Sequence, residues 1–235
     1  MDPGGGVSVV LAPLANILNA KKSLKNLKII YFSTAQVFNA VTEDATLTDE
    51  SVISPNNYYG LFHAFGERMI VHCRESLKQK NLTSIRLTNS FGFLCNTSCN
   101  WQFPALNDFI SCAFEKNKII IRSDGSPFRD FVEISRVMNT CYSLAVSKEL
   151  PENLICGSGL TVNLSYVISS IQKIIKNKYA REIKIQSDFD LSLPEIKSVP
   201  RYIINEKYNN KCSIPEFDKD IEKAITDYER FSKCL

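Results

Sequence analysis

The chain has 235 residues, 44% hydrophobic and 23% charged, with 28 Lys and Arg against 25 Asp and Glu and a net charge of +3. That apolar share fills one substantial core, or a core with a small second lobe, and the interleaved charge gives no electrostatic footprint for nucleic acid. With no run near the roughly 20 apolar residues of a membrane span and no secretory leader, the sequence predicts a reduced, cytoplasmic protein.

Eight cysteines form no Cys-x-x-Cys and only two histidines are present, so no zinc site is expected. The one close pair, Cys95 and Cys99, reads as two free thiols in or beside a loop. Residues 1–6 read as a flexible leader; nothing before Gly4-Gly5-Gly6 forms the strand that a phosphate-binding glycine turn requires. Apolar residues at helical period predict a helix over 7–22 despite Pro13, and Lys21, Lys22, Lys25 and Lys28 read as its solvated end and turn. A buried strand follows over 27–32 and stops at two hydroxyls, Ser33 and Thr34. After a polar loop, Ser54-Pro55-Asn56-Asn57 opens a helix over 57–80. Tyr59 and His63 lie one turn apart on it and share a face. A strand-end hydroxyl facing a tyrosine with a basic partner suits the movement of a proton and a hydride.

A strand over 83–88 ends at Asn89-Ser90-Phe91-Gly92, where Asn89 by itself reads as a turn former. A helix over 104–116, a strand over 119–121 and a turn over 123–127 lead to Arg129-Asp130-Phe131-Val132-Glu133-Ile134. Taken alone, Arg129 reads as a surface partner of Asp124 or Asp130. Helices are expected over 135–146, from the Asn163 cap to about 176 and over 218–233, with strands at 154–156, 182–186 and 200–205. Internal repeats are absent.

Ser33-Thr34-Ala35-Gln36-Val37-Phe38 and Tyr58-Tyr59-Gly60-Leu61-Phe62-His63 resemble two motifs of the NAD-dependent epimerase/dehydratase family, extended short-chain dehydrogenase/reductases acting on nucleotide sugars. The stretches from Asn89 and from Arg129 are similar to two more. The resemblance implies an α/β fold: a partial Rossmann-like doubly wound parallel sheet over 7–125 and a small substrate-binding lobe with returning core elements over 126–235. It implies Thr34, Tyr59 and His63 as catalytic groups, Ser33, Tyr59 and His63 against an NAD or NADP cofactor, and Asn89 and Arg129 on a UDP-, dTDP- or GDP-linked sugar. It also implies a homodimer through the helices at 7–22 and 57–80.

Four departures qualify these expectations. His63 stands where the family has the lysine that lowers the tyrosine pKa and grips the nicotinamide ribose. Ala35 and Gln36 stand where the 4,6-dehydratases have Asp and Glu, which favours epimerase or reductase chemistry over dehydration. The family's Gly-x-x-Gly-x-x-Gly cofactor turn does not occur in this sequence, so impaired catalysis is expected. Arg136 replaces the usual Asp, predicting rewired ion pairing. A non-catalytic homologue that binds or dimerises with an intact enzyme stays open beside the enzyme reading, as does an unrelated α/β binding protein.

Overall fold

The computed structural model describes residues 3–21, 23, 26–38, 46–93, 104–187, 198–199 and 201–233. In chain order the elements are α1 (Pro3–Gly6), a π-helical stretch Val7–Leu11, α2 (Ala12–Lys21), β1 (Ile29–Thr34), a 3-10 turn Ala35–Val37, α3 (Tyr58–Ser76), β2 (Leu82–Leu87) and β3 (Asn89–Phe91). Then come α4 (Ala105–Lys116), β4 (Lys118–Ile121), β5 (Phe128–Glu133), α5 (Ile134–Val146), β6 (Asn153–Cys156), β7 (Thr161–Asn163), α6 (Leu164–Tyr179), β8 (Lys184–Ser187), β9 (Ser198–Val199) and α7 (Ile214–Ser232). The fold is α/β and Rossmann-like. No described helix is long and apolar enough to cross a membrane.

The chain divides into two compact units, each gathered from interleaved stretches. The first takes Met1–Thr88, Val137–Gly157 and Arg201–Asn210. Its sheet runs β1-β2-β6, all parallel, with Ser33 in register with Arg86 and Leu87 with Cys156. Central β2 is buried over Leu82–Arg86, as a parallel strand covered on both faces must be. Leu14 and Leu18 of α2 pack with Ile70 and Cys73 of α3 over Ile29 and Leu82. Val37, Phe38, Leu47, Ala64, Ile155 and Ile204 form a second apolar cluster.

Several expected boundaries move. Pro3–Gly6 is helical where the sequence reading places a leader. Wider π turns follow, with the Ala12 N–H reaching the Val7 carbonyl; Pro13, which has no N–H to give, lies directly after them. Lys21 is not solvated: it is fully buried, its Nζ 2.6 Å from Gln79 Oε1. Lys28 donates to the carbonyls of Ala145 and Ser147, both at 2.5 Å, setting a cation at the C-terminus of α5. Helix α3 stops at Ser76, four residues before position 80, as Lys78 turns left-handed at φ 51°. The strand expected over 200–205 reduces, among the described residues, to a single bridge between Tyr202 and Leu47. Cys73, Cys112, Cys141, Cys156 and Cys212 are free thiols, while Cys95 and Cys99 lie outside the described residues.

The second unit takes Asn89–Arg136, Ser158–Pro200 and Lys211–Leu235. Its sheet runs β3-β5-β7-β9, with β3 parallel to β5 and the other pairs antiparallel; β4 and β8 form a separate parallel pair. One core joins Ile110 of α4, Phe131, Val167 and Ile171 of α6, and Phe217 and Tyr228 of α7. Asn163 caps α6 by accepting the Tyr166 N–H at 3.1 Å. Ser213 and Glu216 form a capping box at the start of α7.

Candidate active site

In the first unit the end of β1 and the first turns of α3 meet. Asn57 caps α3 by accepting the Gly60 N–H at 2.8 Å, and its own amide reaches Gln36 Oε1 at 3.2 Å. Gly60 lets the helix come this close, since a Cβ there would strike the Gln36 carbonyl. Thr34 Oγ1 accepts the Gln36 N–H at 3.2 Å, fixing the 3-10 turn after β1. Thr34 stands near enough to the Tyr59 phenol to oppose the rise in its pKa that burial causes. The Tyr59 and His63 rings meet edge to face with centroids 4.6 Å apart. The structure thus brings Thr34, Tyr59 and His63 together.

Ser33, the fourth residue expected here, faces inward. Its Oγ is buried and donates to Glu67 Oε1 at 2.6 Å. Glu67 also holds Arg86: Arg86 Nε reaches its two oxygens at 3.1 and 3.2 Å, and Nη2 reaches Oε2 at 2.9 Å. Both side chains are nearly inaccessible, at 2% and 4% exposure. Arg86 Nη1 donates to the Asp49 carbonyl at 2.7 Å, and its guanidinium lies over the Phe38 ring. A cavity of about 580 Å³ borders this pair, lined also by Asp49, Glu152 and Asn205; Thr34, Tyr59 and His63 do not line it.

Sequence reading missed Tyr31, Glu67 and Arg86. Tyr31 Oη lies 3.0 Å from His63 Nδ1, and Gly66 makes the room, because a Cβ there would strike that hydroxyl. Two rungs therefore join β1 to α3, Tyr31–His63 and Ser33–Glu67. The spacing was available as a signal. Two residues of strand rise roughly 6.6 Å and one i,i+4 step of helix roughly 6 Å, so alternate strand positions match successive turns of a helix lying along them. Arg86 follows from its register with Ser33 across the parallel pair.

Burial raises the Tyr59 pKa, and neighbouring Thr34 opposes it. Burial lowers the His63 pKa, opposed by the charge of Glu67. At neutral pH the pair is phenol and neutral imidazole, so no charge on His63 eases the loss of the Tyr59 proton.

Asn89 and Arg129 belong to the second unit. Asn89 opens β3 opposite Phe131, and its Nδ2 donates to the Asp130 carbonyl at 2.9 Å. Arg129 is exposed; its Nη1 donates to the Phe128 carbonyl at 2.8 Å, and among the described residues it forms no ion pair. Arg136 pairs with Asp220 of α7 at 2.6 Å, which gives the substituted position its new partner.

A parallel sheet with a strand-end threonine beside a helix-borne tyrosine is the arrangement of the short-chain dehydrogenase/reductase class. The sequence profile of the NAD dependent epimerase/dehydratase family matches residues 9–155, and the chain belongs to that family. The fold is similar to that of UDP-N-acetylglucosamine 4-epimerase from Methanobrevibacter ruminantium, solved with UDP-N-acetylmuramic acid: 16% identity, TM-score 0.76, over 97% of this chain and 73% of that one. Similar too is UDP-glucuronic acid 4-epimerase from Bacillus cereus in complex with NAD, at 17% identity and TM-score 0.73 over 95% and 68%. So is dTDP-glucose 4,6-dehydratase from Bacillus anthracis in complex with NAD, at 16% identity and TM-score 0.72 over 94% and 68%. No curated protein matches the sequence.

Proposed function

We propose that this chain is a nucleotide-sugar-binding member of the family with the proton-transfer half of an epimerase or reductase, its turnover impaired in the polypeptide as it stands. The observation that carries the reading is Tyr59 packed edge to face against a histidine that stands where the family has lysine, with the strand-end Thr34 beside it. Bound NAD or NADP would supply hydride exchange. Tyr59 would exchange the proton of a sugar hydroxyl, with Thr34 donating to its oxygen. As a base at neutral pH, Tyr59 needs a neighbouring cation, and a neutral His63 does not provide one. The residues fit the reacting end of the cofactor only in part, and no Gly-x-x-Gly-x-x-Gly is present to receive its pyrophosphate. With Ala35 and Gln36 after Thr34, no carboxylate follows the hydroxyl to eliminate water.

Arg129 and Asn89 would hold the substrate independently of the cofactor. An exposed guanidinium without an ion-pair partner among the described residues suits a diphosphate, and the UDP- and dTDP-sugar chemistry of the similar structures supports a UDP-, dTDP- or GDP-linked sugar. Calorimetry is expected to detect nucleotide-sugar binding that Arg129→Ala weakens by about 1.5–3 kcal/mol, the worth of a charge-assisted contact. Equal binding by both proteins would remove Arg129 from the site.

A second reading, a dimerising partner without catalysis, draws on Val7, Val9, Ile17 and Phe65, all about half exposed or more on the two helices expected to pair. Light scattering is expected to report a dimer at micromolar concentration; a stable monomer there overturns this reading. The free thiols fit a cytoplasmic setting.

A further inference from the structure

We infer that Tyr31 fixes His63 as its neutral Nε2–H tautomer, making Tyr31 a positioning residue and His63 a hydrogen-bond donor in place of the lysine cation. The geometry decides which way the shared proton runs. Tyr31 Oη has one hydrogen-bond partner among the described residues, His63 Nδ1 at 3.0 Å. A phenol that only accepted from Nδ1–H would leave its own proton without a protein acceptor among the described residues. The obvious competing acceptor is Glu67, one turn along α3, but Ser33 and Arg86 already occupy its carboxylate. The hydroxyl is also held in its protonated form, since burial first and the Glu67 charge second raise its pKa well above the ordinary phenol range.

With Nδ1 accepting from Tyr31, the ring proton must sit on Nε2. A cationic imidazole would need donors' partners on both nitrogens and would turn Nδ1–H against the Tyr31 proton. The groups facing the ring are Tyr31 from β1, Tyr59 on its own helix and Glu67 below, the last already paired with Arg86 of β2. Gly66 completes the device, because only a residue without Cβ lets the Tyr31 hydroxyl reach this position. Of lysine's two duties, His63 thus keeps the donor and loses the charge. That the Nε2–H serves a bound ligand rests on the function proposed above; the tautomer itself does not.

The test is nitrogen-resolved NMR of the histidine ring in the full chain without ligand. His72 is the only other histidine, so His72→Gln leaves His63 as the single signal. The expected result at neutral pH is a bare, accepting Nδ1 and a protonated Nε2, with this tautomer in about tenfold excess, equivalent to about 1.4 kcal/mol. Tyr31→Phe should lower the excess several-fold, and Gly66→Ala, which displaces the hydroxyl rather than deleting it, should do the same. A proton on Nδ1, an even mixture in the His72→Gln protein, or an excess unchanged in both variants overturns the inference. Should Tyr31→Phe fail to fold, the first measurement and Gly66→Ala still decide. Loss of nucleotide-sugar binding would count against the proposed function and leave the tautomer untouched.

Discussion

Glu67→Ala is expected to destabilise the protein by about 3–5 kcal/mol, read as a lowered midpoint in denaturant unfolding. The cost comes from what stays behind. Arg86 is 4% exposed, and three of its four close hydrogen bonds to other groups end on the Glu67 carboxylate. Removing the acid leaves a nearly inaccessible guanidinium with the Asp49 carbonyl as its remaining described acceptor, and leaves the Ser33 hydroxyl without its acceptor. Against a typical net stability of about 5–15 kcal/mol, that loss is enough to unfold much of the population. Glu67→Leu combined with Arg86→Met should lose far less, because an apolar pair strands no charge. Equal loss in the single and double variants would show that the site tolerates the bare cation.

Titration of the chain with NAD(H), followed by fluorescence, is expected to stay flat to millimolar cofactor, and no nucleotide sugar should turn over. A pyrophosphate needs convergent backbone N–H groups at a helix N-terminus, and the nine glycines here form no turn of that kind. His63→Lys by itself should not restore turnover. It returns a cation beside Tyr59, whose pKa burial has raised, but holds no cofactor against it. Tight NAD binding by the unmodified chain would overturn the impaired reading and require a cofactor site built in another way.

What the sequence made legible was local or strictly periodic. Asn57 and Asn163 cap their helices as expected because each side chain meets a backbone N–H three residues on, a bond closed within one turn. Thr34, Tyr59 and His63 were legible because strand end and helix start are each announced by local chemistry, and the family motif joins them. Tyr31 was not, since an aromatic in a buried strand looks the same whether it packs or hydrogen-bonds. Nor was the Glu67–Arg86 pair, whose members lie nineteen positions apart and meet only through the parallel register of β1 and β2. Lys21 misled for a related reason: a cluster of lysines looks solvated until tertiary packing gives one of them a buried amide, here Gln79. The end of α3 also escaped notice, because a left-handed Lys78 carries no glycine to mark it.

Strand β1 has a neighbour on one side only: among the described residues it pairs with β2 and with no other strand. Among the described residues no strand meets the opposite edge of Ile29–Thr34, while Leu27 and Phe32 nearby are 42% and 49% exposed. Such an edge is a template that any extended apolar segment can join, whatever its sequence. Wherever that edge is left uncovered, the strand that carries Ser33 and Thr34 is also where copies of the chain would begin to stack when crowded. Natural sheets guard such edges with lysine, and Phe32 is the position open to it. Its side chain alternates away from the Tyr31 and Ser33 rungs, so a charge there would guard the edge without touching the contacts to α3.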